Sequence, residues 1–123
     1  MQNKTKAFPN IEAQKATGDW NASWDLFYEQ DPDYLEAFLA FRNVPLKNGP
    51  LAQKYKELIF IAINVATTHL QASGARRHIQ NALKAGATKE EILETIQLTS
   101  IMGIHSMGLA APILHEEVMK FQK

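Results

Sequence analysis

Cysteine is absent from the chain. That one absence removes disulfides, thiolate nucleophiles, Cys-based zinc sites and thiol redox chemistry, so any metal would need His and carboxylate ligands. Charge of one sign is lacking as well. Thirteen Lys and Arg balance thirteen Asp and Glu with no long like-charged block, which leaves no electrostatic footprint for nucleic acid or an acidic membrane surface. Long hydrophobic runs are missing too: the most continuous one, residues 58–66, is too short to cross a bilayer and contains Asn64. Lys4 and Lys6 have no apolar segment behind them, unlike a secretory leader. No period-two stretch and no internal repeat competes with helical periodicity. The expectation is a soluble, cytoplasmic, all-α protein with neither nucleic acid nor membrane as a partner.

What is present fits a single-domain helical bundle of about six helices. A chain of 123 residues can bury a real core, yet is small enough for subunit contacts to matter. Residues 1–20 read as a polar, extended arm containing Pro9, and residues 21–123 as the helical domain. Asn21 or Ser23 is placed to cap a short helix with Trp24, Leu26 and Phe27. Asp31-Pro32-Asp33 is a strong helix start, and residues 32–43 carry Tyr34, Leu35, Phe38 and Phe41 at core spacing. A loop with Pro45 and Gly49 follows, then a helix from Pro50 to about Thr68 with no face evidently left for water. Glu57, Ile61, Asn64 and Thr68 fall at steps of four, three and four, a polar stripe along that helix. Ser73 suggests the cap of a helix ending before Gly86, and Thr88-Lys89-Glu90-Glu91 is a capping box. Pro112 predicts a kink or break ahead of a last helix over 112–121.

Each candidate group carries two readings. Arg76 and Arg77 occupy the first turns of their helix, where the dipole disfavours cations. They are candidates for holding a small carboxylate, or they pair with a Glu or Asp from elsewhere. His78 follows at once and can move a proton near neutral pH if Glu57 orients it, or is a structural helix residue. His69, in the polar break, is a second site group or a capping residue. His105 sits in a zone of small residues and is a candidate to reach the same pocket; His115, beside Glu116 and Glu117, reads as exposed. The four histidines are too widely spaced for an HExxH pair, so no metal is expected. Ser73, Ser100 and Ser106 lack the GxSxG setting of an activated nucleophile.

Glu57-Leu58-Ile59 opening an apolar helix, then His78, then Ala82-Leu83-Lys84-Ala85-Gly86-Ala87-Thr88-Lys89-Glu90-Glu91-Ile92, resembles the carboxymuconolactone decarboxylase family, which includes the alkyl hydroperoxidase D proteins. The resemblance covers roughly residues 51–118 and marks fold more than reaction. It implies an all-helical subunit assembling into trimers or hexamers. The family's peroxidase branch uses a CxxC pair at what are here Gln71 and Gly74, so that chemistry is excluded. The decarboxylase branch needs neither cysteine nor cofactor. On that likeness His78, Glu57 and His69 are the catalytic candidates, and Arg76, Arg77, Asn64 and His105 the substrate-binding ones, for a small carboxylated or lactone metabolite. The interval from Glu57 to His78 is longer than in familiar members. A second expectation is a non-catalytic ligand-binding or assembly subunit that keeps the fold.

Overall fold

The computed structural model describes residues 7–66, 68–101 and 105–122, with the Ser106 side chain set aside. Expectations falling on Lys4, Lys6 and the Ser106 side chain lie outside the described residues. The fold is all-α. Among the described residues seven helices follow one another: α1 (Pro9–Ala16), α2 (Trp24–Gln30), α3 (Pro32–Lys47), α4 (Gln53–Val65), α5 (Ala72–Lys84), α6 (Lys89–Ser100) and α7 (His105–Phe121). They divide into two compact units, Met1–Gly49 and Pro50–Lys123.

In the first unit α1 and α2 pack on α3 around Ile11, Trp24, Leu35 and Leu39, all buried. Trp24 meets Trp20 edge-on at 5.3 Å and Phe38 at 6.3 Å, geometries that add to the area the rings bury. Asp31 caps α3 as its sequence suggests, its carboxylate accepting the Tyr34 N–H at 3.1 Å. The expected extended arm is instead helical from Pro9. No side chain of its own N-cap residue holds α1. Glu36 on α3 does so from a distance, accepting the backbone N–H groups of Asn10 (2.8 Å) and Ile11 (3.0 Å) and the Asn10 amide (2.7 Å). Burial works against the Glu36 anion, but these donors outweigh it and hold the carboxyl below its ordinary range. α3 also runs past its expected end, with Pro45 in its last turn. The carbonyl that Pro45 strips of its partner belongs to Phe41, a surface residue where water can replace the bond.

The second unit is a four-helix arrangement in which α4 lies on α5 and α6, and α7 closes on α5 and α6. Ile61, Ile79, Ile92 and Ile96 are fully buried in its core, each worth about 1.5–3 kcal/mol over exposure. α5 ends in a Schellman turn: Gly86 takes φ +97°, Gly86 N–H donates to Leu83 O, and Ala87 N–H reaches Ala82 O at 2.9 Å. The capping box then opens α6, with Thr88 and Glu91 exchanging bonds of 3.0 Å. α7 runs without the expected break at Pro112. The residue four before it is Gly108, exposed and with open space around it, so the ring can be accommodated. Ala110, Ile113, Leu114 and Val118 pack into the core on both sides of the proline.

Three expectations about the central helices change. α4 starts at Gln53 rather than Pro50 and stops at Val65, because Asn64 O is taken by Gln71 N–H at 2.7 Å and Asn64 Nδ2 folds back to Phe60 O at 2.8 Å. Thr68 therefore leaves the polar stripe and lies in the following turn. α4 also does leave a face toward water: Tyr55, Ile59 and Ile63 are each 48% exposed. Ser73 is not a cap; it lies inside α5 and donates its hydroxyl to Gln71 Oε1. Where α4 and α5 meet, a Cβ at Gly74 would collide with Asn64 Oδ1 and lie 2.8 Å from its Cγ.

Two outcomes follow. Gly74→Ala should lower stability by about 1–3 kcal/mol in denaturant unfolding, the range for overpacking, and Asn64→Ala in the same chain should recover most of it; additive losses would show that Asn64 is not the obstacle. Glu36→Ala should cost about 1 kcal/mol, as for a lost cap, and speed hydrogen exchange at Asn10 and Ile11. Since the folded state holds Glu36 below its unfolded value, its contribution is fully present above the ordinary carboxylate range. It is lost as pH falls through the depressed folded value. The substituted chain should therefore show a smaller loss of stability in acid.

Candidate functional site

Glu57 lies one turn into α4 and His78 in the middle of α5, on the faces the two helices turn toward each other. Both are almost fully buried, at 5% and 6% exposure, beside Ile61, Ala75, Ile79 and Ala82. A charge so placed is costly unless its bonds are satisfied. They are: Glu57 Oε1 lies 2.6 Å from His78 Nδ1, and Oε2 accepts Gln53 Nε2 at 2.7 Å. Phe60, on α4, lays its ring against the imidazole with centroids 4.8 Å apart and planes at 33°.

With Glu57 as the carboxylate, which accepts and does not donate, the ring proton of this contact is the one on Nδ1. Nε2 makes no hydrogen bond among the described residues, so it is the ring atom left to exchange a proton with something else. The arrangement is that of a base with its orienting acid. Gln53 and Phe60 are members that sequence reasoning did not single out. Gln53 stands four residues before Glu57, a spacing that could have raised it; Phe60 reads from the sequence only as core.

The other candidates go elsewhere. Arg76 Nη1 binds Glu117 at 2.7 Å and Glu116 at 2.8 Å, the pairing alternative its sequence left open. Glu117 is 4% exposed and also accepts Gln80 Nε2 at 2.9 Å, with Lys120 Nζ at 3.5 Å. Burial opposes its charge, yet Gln80, Arg76 and Lys120 together hold the carboxyl below its ordinary range. Glu117 and then Glu116 raise Arg76 further above its usual value. This network ties α5 to α7 and is absent from the sequence reading, where Glu116 and Glu117 figure only as neighbours of His115.

Arg77 is half-buried and has a partner of its own. His69 is exposed in the turn after α4, beside Leu70 at φ +43°, and His105 is exposed at the start of α7; His115 is exposed as expected. Asn64 is half-buried, its amide bonded to Phe60 O and its oxygen against Gly74. Among the described residues, none of Arg76, His69 or His105 bonds to the Glu57–His78 pair. No group of three or more His, Asp and Glu among them is arranged to hold a metal, and no helix there is long and apolar enough to cross a membrane.

Among the described residues, the second unit has at least two cavities. One of about 370 Å³ between α4 and α6 is lined by Leu58, Ile59, Ala62, Thr95, Leu98 and Thr99. The Thr95 and Thr99 hydroxyls donate back to the Glu91 and Thr95 carbonyls, which leaves that groove apolar in character. The other, about 320 Å³ between α5 and α7, has Gln80, Glu117, Lys120 and Phe121 among its walls. Neither is lined by Glu57 or His78.

The model of the carboxymuconolactone decarboxylase family matches residues 32–106, more than half of the chain. A crystal structure from Burkholderia xenovorans LB400, of a protein provisionally named a carboxymuconolactone decarboxylase, superposes with a TM-score of 0.78. It covers 92% of this chain and 87% of that one at 22% identity, which shows the shared fold. A second structure from the same organism, provisionally named a gamma-carboxymuconolactone decarboxylase subunit, is 35% identical with a TM-score of 0.70. The match takes in 97% of this chain but 49% of that one, so the chain spans about half the length of this relative. No curated protein matches. On the family model, and on a fold shared with both crystal structures, the chain belongs to the carboxymuconolactone decarboxylase family.

Proposed function

We propose that the protein is a cofactor-free acid/base enzyme that decarboxylates a small carboxylated lactone. The observation that carries the reading is the buried contact of 2.6 Å between Glu57 and His78. Such a substrate needs one bond broken and one proton moved: the bond to the carboxylate breaks, its electron pair flows toward the lactone carbonyl, carbon dioxide leaves, and a proton is delivered to carbon. His78 in its imidazolium form is the proposed donor through Nε2, Glu57 accepts from the Nδ1–H that the ring retains, and Nε2 takes its proton back from solvent before the next turnover. Arg77, adjacent to His78 in α5 and partnered as Arg76 is, is the proposed anchor for the substrate's remaining carboxylate, which it would take in exchange for that partner. Arg76, already bonded to Glu116 and Glu117, and Asn64 would shape its surroundings, while His69 and His105 would meet it from solvent.

A second reading, a non-catalytic ligand-binding or assembly subunit, is favoured by a different observation. The basic groups do not converge: Arg76 is tied to α7, and His69 and His105 lie exposed. Assembly itself is proposed under both readings. Tyr55, Ile59 and Ile63 form an apolar row on α4 that a second subunit would cover, consistent with the word subunit in the name of the half-matched relative.

A screen of carboxylated ring-cleavage lactones, beginning with gamma-carboxymuconolactone, should detect carbon dioxide release. His78→Ala should then lower kcat by about 10²-fold or more, the usual share of a general acid, with helicity and assembly unchanged. Undiminished turnover in that variant would remove His78 from the mechanism, and no release from any lactone would favour the second reading. For assembly, Ile59→Glu should reduce the mass in light scattering from a trimer or hexamer to a single subunit. An unsubstituted chain that already runs as a single subunit would refute the assembly.

A further inference from the structure

The Glu57 carboxylate is gripped at both oxygens, and the second grip is the less expected one. Gln53 is an exposed residue in the first turn of α4, yet its amide donates at 2.7 Å to Oε2 of a side chain that is 5% exposed. Exposed pairs four apart on a helix are weak. This one is different in kind, because the acceptor is an anion shut away from water and the bond is charge-assisted. The neighbouring cation does not substitute for it: Lys54 turns to Glu91 at 3.1 Å. Among the described residues, Gln53 is the sole donor to Glu57 apart from His78.

A carboxylate fixed at one oxygen only is free to rotate about its terminal bond, and rotation takes Oε1 off the His78 ring. The imidazole would then lose the acceptor that keeps its proton on Nδ1. We infer that Gln53 is a positioning residue: it locks the Glu57 carboxylate so that His78 presents a single tautomer, with Nε2 the ring nitrogen left without a hydrogen bond among the described residues. The inference rests on the acid/base reading of the pair and adds to it the part that sets its orientation. Phe60, stacked on the ring at 4.8 Å, restrains the plane but has no polar atom with which to choose between tautomers.

The test uses the full chain labelled with ¹⁵N. Gln53→Met keeps the length and removes the donor, whereas Gln53→Lys restores a donor to the same oxygen. In the unsubstituted chain the His78 ring nitrogens should report protonation at Nδ1. Gln53→Met should convert this to a tautomer mixture and lower kcat on gamma-carboxymuconolactone about tenfold with KM unchanged, the loss expected of one hydrogen bond to a charged group. Gln53→Lys should bring both back. An unaltered ring signature and kcat in Gln53→Met would overturn the inference. Failure of the acid/base reading looks different: no chain releases carbon dioxide, yet the ring signature still responds to Gln53→Met, and the hold of Gln53 on the tautomer stands.

Discussion

The contact between Glu57 and His78 is the constraint to which the second unit answers. A carboxylate and an imidazole are withdrawn from water among isoleucine and alanine side chains, which is favourable only if each polar atom that is buried finds a partner. Two helices must therefore meet at a fixed height: α4 has to present residue 57 where α5 presents residue 78. The end of α4 at Val65, the fold-back of Asn64 onto Phe60 and the tight turn into α5 all serve that registration. So does Gly74, whose missing side chain lets α5 close on Asn64.

The opposite side of α5 is tied by a second charged cluster of another character. Arg76 and Gln80 reach Glu117 on α7, with Glu116 and Lys120 at the rim. Every oxygen of Glu117 is committed to a partner on the protein, which suits a structural tie. At His78 one ring nitrogen is left over, which suits chemistry. The two buried carboxylates of the second unit thus differ in how completely the protein satisfies what surrounds them, and that difference separates a brace from a candidate catalyst more clearly than burial does.

The parts of the fold written in local sequence were legible. Asp31 before Pro32, Thr88 with Glu91, and the glycine at residue 86 each act within a few residues of themselves, and the structure uses them as their chemistry suggests. What escaped was set by distant residues. α1 is capped by Glu36, more than twenty residues away, so nothing near Pro9 announces it. Pro45 and Pro112 read as breakers, but whether a proline ends a helix depends on what lies around the carbonyl four residues earlier, and that is a property of packing. In the site, Glu57 and His78 were named from type and spacing. The partner of Arg76 was not, because a buried glutamate among exposed neighbours looks in sequence like one more surface charge.

The close approach of Gly74 to Asn64 has a consequence for how chemistry could change on this fold. A side chain at residue 74 meets the Asn64 amide, so a cysteine would have to displace that amide from its bond to Phe60 O or arrive together with a smaller residue on the facing helix. The route from this chain toward dithiol chemistry passes through intermediates that pack badly, and the two kinds of site are separated by a barrier of shape as well as by the identity of their reactive atoms.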